Sequence, residues 1–238
     1  MMRIDSSRSL LLVVAFTLCF SPISVFAAGG GYGGVGSADG NKSSARGPER
    51  FAERDYNRGL RRRDSALKHE ARAISASSEK KRDKQLSKAV KDWSAAEKYY
   101  RAAIKQLPKY YQAHSSLGYT LRKLGRYDKA IASYDLALKL KPGYPEALEY
   151  RAEAYLALGR FEDASHSYTR LRTLDREKAG QLLSAMEVWL EAHETSAADG
   201  TSISPETVAW LRGWVEEQSP GSDAETRAVS SPGADWDR

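Results

Sequence analysis

Between Tyr111 and Asp175 the chain states nearly the same pattern twice, at an offset of 34 residues. Leu117-Gly118 is followed at fixed distances by Gly125, Arg126, Tyr127, Ala130, Tyr134 and Ala137. The second copy has Arg151-Ala152, Gly159, Arg160, Phe161, Ala164, Tyr168 and Leu171 at the matching places. A unit this short cannot bury its own apolar face, so like units must stack and cover one another.

The residues say what each unit is. From Gln112 onward, Ala113, Leu117, Tyr119, Thr120, Leu121 and Leu124 recur at three- and four-residue spacings, which predicts a helix with one buried face. Gly118 on that face lets a neighbouring helix come close, at a helix-propensity cost of roughly 1 kcal/mol against Ala. Gly125 ends the helix, since glycine takes the left-handed cap without a Cβ clash. Tyr127, Ala130, Ile131, Tyr134, Leu138 and Leu140 form the stripe of a second helix, with Ala137 a further close-contact point, and Pro142 stops it. Pro145 opens the next unit at a tolerated first-turn position.

Counting back one period puts Trp93, Ala96, Tyr100, Ala103 and Pro108 at second-helix positions of a third, upstream copy. Its expected first helix, Ser78 to Lys91, lacks the leucine-glycine pair and is read as degenerate. Downstream, Ala179, Leu182, Leu183, Met186, Val188, Trp189 and Leu190 give a wide stripe without the turn, as expected of a terminal capping helix. Ser204-Pro205-Glu206 is a helix-start signal, which predicts a short amphipathic helix over 203–218 with Trp210, Leu211, Trp214 and Val215 on one face. That face either docks on the solenoid end or is itself a partner motif.

This pattern resembles the tetratricopeptide repeat family over about 100 of the 238 residues. The resemblance implies an all-α helical-repeat solenoid of two full repeats and one degenerate repeat, running over 92–193 with its capping helix. It also implies a protein-binding role, with ligand side chains drawn from the first helices. Carried over residue by residue, the partner-binding set is Lys88, Gln112, Ser115, Tyr119, Arg122, Lys123, Glu146, Glu149 and Glu153, with Lys81 and Gln85 beside Lys88. Glu146, Glu149 and Glu153 are spaced to share one side of a helix and are expected to form an acidic wall opposite a basic entrance at Arg122 and Lys123. The asparagine and lysine set with which chaperone-binding members hold a C-terminal carboxylate is missing, since no asparagine follows Asn57.

The N-terminal part is of another kind. Arg3 and Arg8, an apolar run from Leu10 to Phe20, and Val25-Phe26-Ala27 describe a secretory signal peptide over 1–27, cut after Ala27. An uncleaved anchor is the rival reading, but Pro22 interrupts a run already short of the ~20 residues a span needs. Export would place the mature protein in the periplasm or outside the cell, consistent with a bacterial envelope protein. Cys19, the sole cysteine, lies in the removed segment, so the mature chain would form no disulfide. Residues 28–47 read as a Gly/Ser-rich flexible linker, and 219–238 as a disordered tail.

Residues 48–91 form a basic helical segment. From Lys42 to Lys91 there are 16 basic and 7 acidic side chains, whereas from Glu146 to Arg238 there are 9 basic and 18 acidic. Such segregation suggests an anionic partner for the basic helix, either a membrane surface or an acidic polymer, and head-to-tail self-association. Export disfavours nucleic acid. Nothing points to catalysis, a cofactor or a metal: His69, His114, His166 and His193 are scattered and read as surface or rim residues. The expected function is a non-enzymatic adaptor or scaffold of the cell envelope. An accessory or regulatory subunit docking through the basic helix is the alternative.

Overall fold

A computed structural model of the protein describes residues 47–194 and 204–218. Among the described residues there are eight α-helices and no strand: α1 Pro48–Ile74, α2 Glu79–Gln106, α3 Tyr111–Lys123, α4 Tyr127–Leu140, α5 Pro145–Ala157, α6 Phe161–Leu174, α7 Arg176–Glu194 and α8 Pro205–Gln218. The signal-peptide, linker and tail assignments fall outside the described residues, save Gly47.

The repeat turns form as the glycines dictate. Gly125 and Gly159 adopt φ of 71° and 69°. After α3, Gly125 N–H donates to the Arg122 carbonyl and Arg126 N–H to the Leu121 carbonyl, both at 2.9 Å. Gly159 and Arg160 close α5 in the same way. These paired bonds satisfy carbonyls that the helix end leaves open. Ala130, Ala137 and Ala164 are wholly buried, as the close-contact positions require.

The first unit departs from expectation. Residues 79–106 make one 28-residue helix, so Ser78 to Lys91 is not a separate first helix and the expected division at residue 91 falls in mid-helix. The role of first helix passes to α1, which packs along the full hairpin with α2. Ala52, Gly59, Ala66 and Ala73 are buried at seven-residue spacing, and Ala89, Trp93, Ala96, Tyr100 and Ala103 answer them from α2 in steps of four and three. Small residues all along α1, facing an α2 seam in which alanines alternate with Trp93 and Tyr100, let the two helices run close together. Gly59 does for Tyr100 what Gly118 does for Tyr134. A Cβ on Gly59 would lie 2.5 Å from the Tyr100 ring, and one on Gly118 would lie 2.7 Å from the Tyr134 ring. The lengthened hairpin hid this unit from a 34-residue count.

The equivalence has a measurable consequence. Gly→Ala in a helix interior ordinarily stabilises by about 1 kcal/mol. Gly180→Ala should do so, because a Cβ there meets nothing within 4 Å. Gly59→Ala and Gly118→Ala should instead each destabilise by roughly 1–3 kcal/mol, as rigid tyrosine rings are forced off their seats. Urea denaturation of the three variants checks the contrast.

The main core runs from Ala96 and Tyr100 through both regular repeats to Trp189 on α7 and Leu211 on α8. Capping helix α7 buries Leu182, Met186 and Trp189, with Trp189 edge-on to Phe161 at 4.7 Å. Helix α8 docks on the solenoid end through Leu211, Val215 and Trp214, whose ring meets Tyr168 at 5.1 Å. Trp210 is left exposed.

Candidate protein-binding surface

Helices α1, α3, α5 and α7 stand side by side along one wall, and buried or half-buried ion pairs bind each to the next. Lys123 on α3 reaches Glu70 on α1 at 2.8 Å. Its neighbour Arg122 pairs with Glu153 on α5. Glu149, one turn before Glu153, takes Lys178 of α7 at 3.0 Å. The three pairs make a ladder along the wall, with consecutive residues or consecutive turns facing opposite neighbours. The Arg122 guanidinium also lies over the Tyr119 and Tyr150 rings, 5.3 and 5.5 Å from their centroids.

This arrangement revises the expected charged groove. Arg122, Lys123, Glu149 and Glu153 are buried, not displayed to a ligand, because each faces an opposite charge on the adjoining first helix. Three glutamates on one face repel one another in an isolated helix, but here two of them are answered by cations. Ser115 is buried as well, and Gln112 is half-buried at the start of α3. Lys88 is exposed on α2. His114, expected at the rim, is buried with its Nε2 2.8 Å from the Pro108 carbonyl oxygen.

Burial marks the ladder electrostatically. It works against charge on Arg122, yet Glu153 and the surrounding tyrosines hold the guanidinium firmly charged. Lys123 is lowered by burial, which Glu70 opposes. Glu149 is pushed up to about 7, chiefly by burial and then by the charge of Glu153, with Lys178 pulling the other way. A carboxyl whose folded value exceeds its ordinary 4.5 holds a proton in the folded state that the unfolded chain has released. Its contribution to stability is therefore full below the unfolded value and is lost as pH rises through the folded one. The melting temperature of the parent should fall from pH 5 to pH 8, and that of Glu149→Gln should fall less. Calorimetry across that range checks the sign.

What the wall leaves open is a pocket of about 230 Å³ between α1, α3 and α5. Tyr56, Leu67, Tyr119, Tyr144 and Tyr150 supply its apolar lining, Ser115 and Ser116 its hydroxyls, and Arg63 and Glu146 its charges. Tyr119 is fixed between Trp93 at 5.7 Å and Tyr150 at 5.1 Å, and burial pushes its phenol up to about 12. Tyr56 is steadied by a 3.3 Å contact between its hydroxyl and that of Ser116. Of the partner-binding residues expected from sequence, the pocket gathers Ser115, Tyr119 and Glu146. It adds Tyr56, Arg63 and Leu67, which were missed because the basic helical segment that carries them was not read as the first helix of a repeat. The signal was present in the small residues of α1 at seven-residue spacing.

Among the described residues no group of three His, Cys, Asp or Glu side chains could hold a metal ion. No helix there is long and apolar enough to cross a membrane. Two family models, both of the tetratricopeptide repeat, match residues 89–145 and 121–186. None of the curated proteins compared with the chain matches it.

Proposed function

We propose that this chain, whose residues 89–145 and 121–186 match tetratricopeptide-repeat models, is a non-enzymatic adaptor of the cell envelope that holds an extended polypeptide segment against its concave wall. The observation that carries the reading is the tyrosine-lined pocket between α1, α3 and α5, which stands open while the charges of the ladder beside it are satisfied within the chain. Rigid tyrosines give contact area at small entropic cost, so a bound segment would rest on one apolar or aromatic side chain seated among them. Arg63 and Glu146 would fix the direction of the segment by opposite charges at the rim. The position in the envelope rests on the signal-like residues 1–27, and a mature N-terminus near Ala28 is its expected readout.

Photo-crosslinking tests the surface. A benzoylphenylalanine placed at Leu67, on the pocket edge, should capture a polypeptide in envelope extract, and the same probe at exposed Lys139 on α4 should not. Equal capture at both positions would move binding away from this wall. Loss of the Leu67 adduct in Tyr150→Ala would tie it to the pocket. The second reading, an accessory subunit docked through its basic helix, is favoured by the cationic outer side of α1.

A further inference from the structure

The side of α1 turned away from the concave pocket carries a row of cations that the adaptor reading does not use. Arg50, Arg54, Arg58, Arg61, Lys68 and Arg72 follow at spacings of three, four and seven residues, so all six share one stripe of the helix. Every one of them is exposed. At 1.5 Å per residue the row is about 33 Å long. Arg63, in the pocket, comes nine residues and thus two and a half turns after Arg54, on the opposite side of the helix.

A shallow cleft of about 380 Å³ adjoins the row where α1 meets α2, lined by Arg58, Arg61, Arg62, Ser65 and Tyr99. Asp92 organises it, accepting from Arg62 at 3.0 Å and from Ser65 at 2.7 Å, with His69 Nε2 3.7 Å away. Asp55 lies 3.4 Å from both Arg54 and Arg58. No ion pair forms at Arg61, Lys68 or Arg72 among the described residues. Lys88 extends the basic face on α2, four residues before Asp92 and on the stripe that leads to Tyr99.

The shape of this face selects among anions. It is a single file, broken only by Asp64 between Arg61 and Lys68, which pairs with Arg63 at 2.8 Å, and a row one side chain wide suits a linear polymer better than a sheet of lipid headgroups. Leu67 and Ile74, exposed apolar residues of α1, lie on its far side, and Phe51, also exposed, stands at one end of the row with the Arg54 guanidinium 5.2 Å from its ring. The row therefore carries a single exposed ring, Phe51, and no continuous apolar stripe of the kind an interfacial helix sinks among acyl chains. Single-stranded nucleic acid calls for a succession of stacking rings, and the cleft supplies Tyr99 alone. We infer that this face binds a linear acidic polysaccharide, with sugar carboxylates on Arg58, Arg61 and Lys68 and a sugar ring against Tyr99.

Alginate, a polyuronate, and uncharged dextran titrated against the full chain test this. Alginate should bind at low salt and weaken steeply as salt rises, and dextran should not bind. Arg58→Gln/Arg61→Gln/Lys68→Gln should weaken alginate binding about tenfold. Lys105→Gln/Lys109→Gln/Lys139→Gln, off the row but matched in charge, should change it by less than about twofold. Should the first triple variant lose helicity, Arg61→Glu alone, expected to weaken binding severalfold, replaces it. Equal losses in the two triple variants, or no alginate binding, would overturn the inference. So would tighter binding at the same salt to polyglutamate, to oligo-dT or to vesicles containing phosphatidylglycerol.

Discussion

Arg122→Met should destabilise the protein by about 3–5 kcal/mol, far more than the loss of an ordinary surface ion pair. Both partners of the Arg122–Glu153 bridge are buried, so removing one leaves a carboxylate without water and without its cation. The double variant Arg122→Met/Glu153→Leu should recover most of that loss, because an apolar pair of similar size carries no desolvation penalty. Asp135→Ala is the comparison. Asp135 pairs with Arg151 at 2.6 Å but is itself half exposed, so the substitution should cost only about 0.2–1 kcal/mol. Chemical denaturation of the three variants beside the parent would show it, and a double variant no better than Arg122→Met would mean that the ladder itself, not the orphaned charge, holds α3 to α5.

Trp93→Ala should cost about 3–5 kcal/mol and act mostly on one end of the molecule. Trp93 is fully buried with Ala66 and Ala89 in a small cluster apart from the main core. Its indole N–H donates to Glu70 at 2.7 Å, and Glu70 also takes Lys123. One substitution therefore removes the cluster's largest buried side chain and loosens the first rung of the ladder. Hydrogen exchange should show protection lost along the outer halves of α1 and α2, with α4 to α6 retaining theirs. Uniform loss across all helices would mean that the hairpin and the repeats unfold as one unit.

The repeats were legible in sequence because their determinants are local. A glycine at a fixed distance from a tyrosine, and a glycine cap after a leucine, act within a few residues, and Gly118, Gly125 and Gly159 take up those roles. The first helix was not legible by period, since Gly59 meets a Tyr100 that is 41 residues away while Gly118 meets Tyr134 after only 16. The ladder was hidden for a related reason. Glu149 and Glu153 read as a ligand-facing wall while their helix is viewed alone, and their cations sit on separate helices at Lys178 and Arg122. Sequence spacing gives the face on which a side chain lies, but what stands opposite that face follows from the stacking.

The ladder also limits how such an array can be lengthened. An ordinary helical-repeat array tolerates an inserted unit whenever its apolar faces match those of its neighbours. Here a unit spliced between α4 and α5 would separate Arg122 from Glu153. The newcomer would have to present an acid toward α3 and a base toward α5, or leave two buried charges stranded. Growth of this wall by duplication is thus permitted only to units that carry a matched acid and base, a pairing rule written in charge and separate from the fit of the hydrophobic faces.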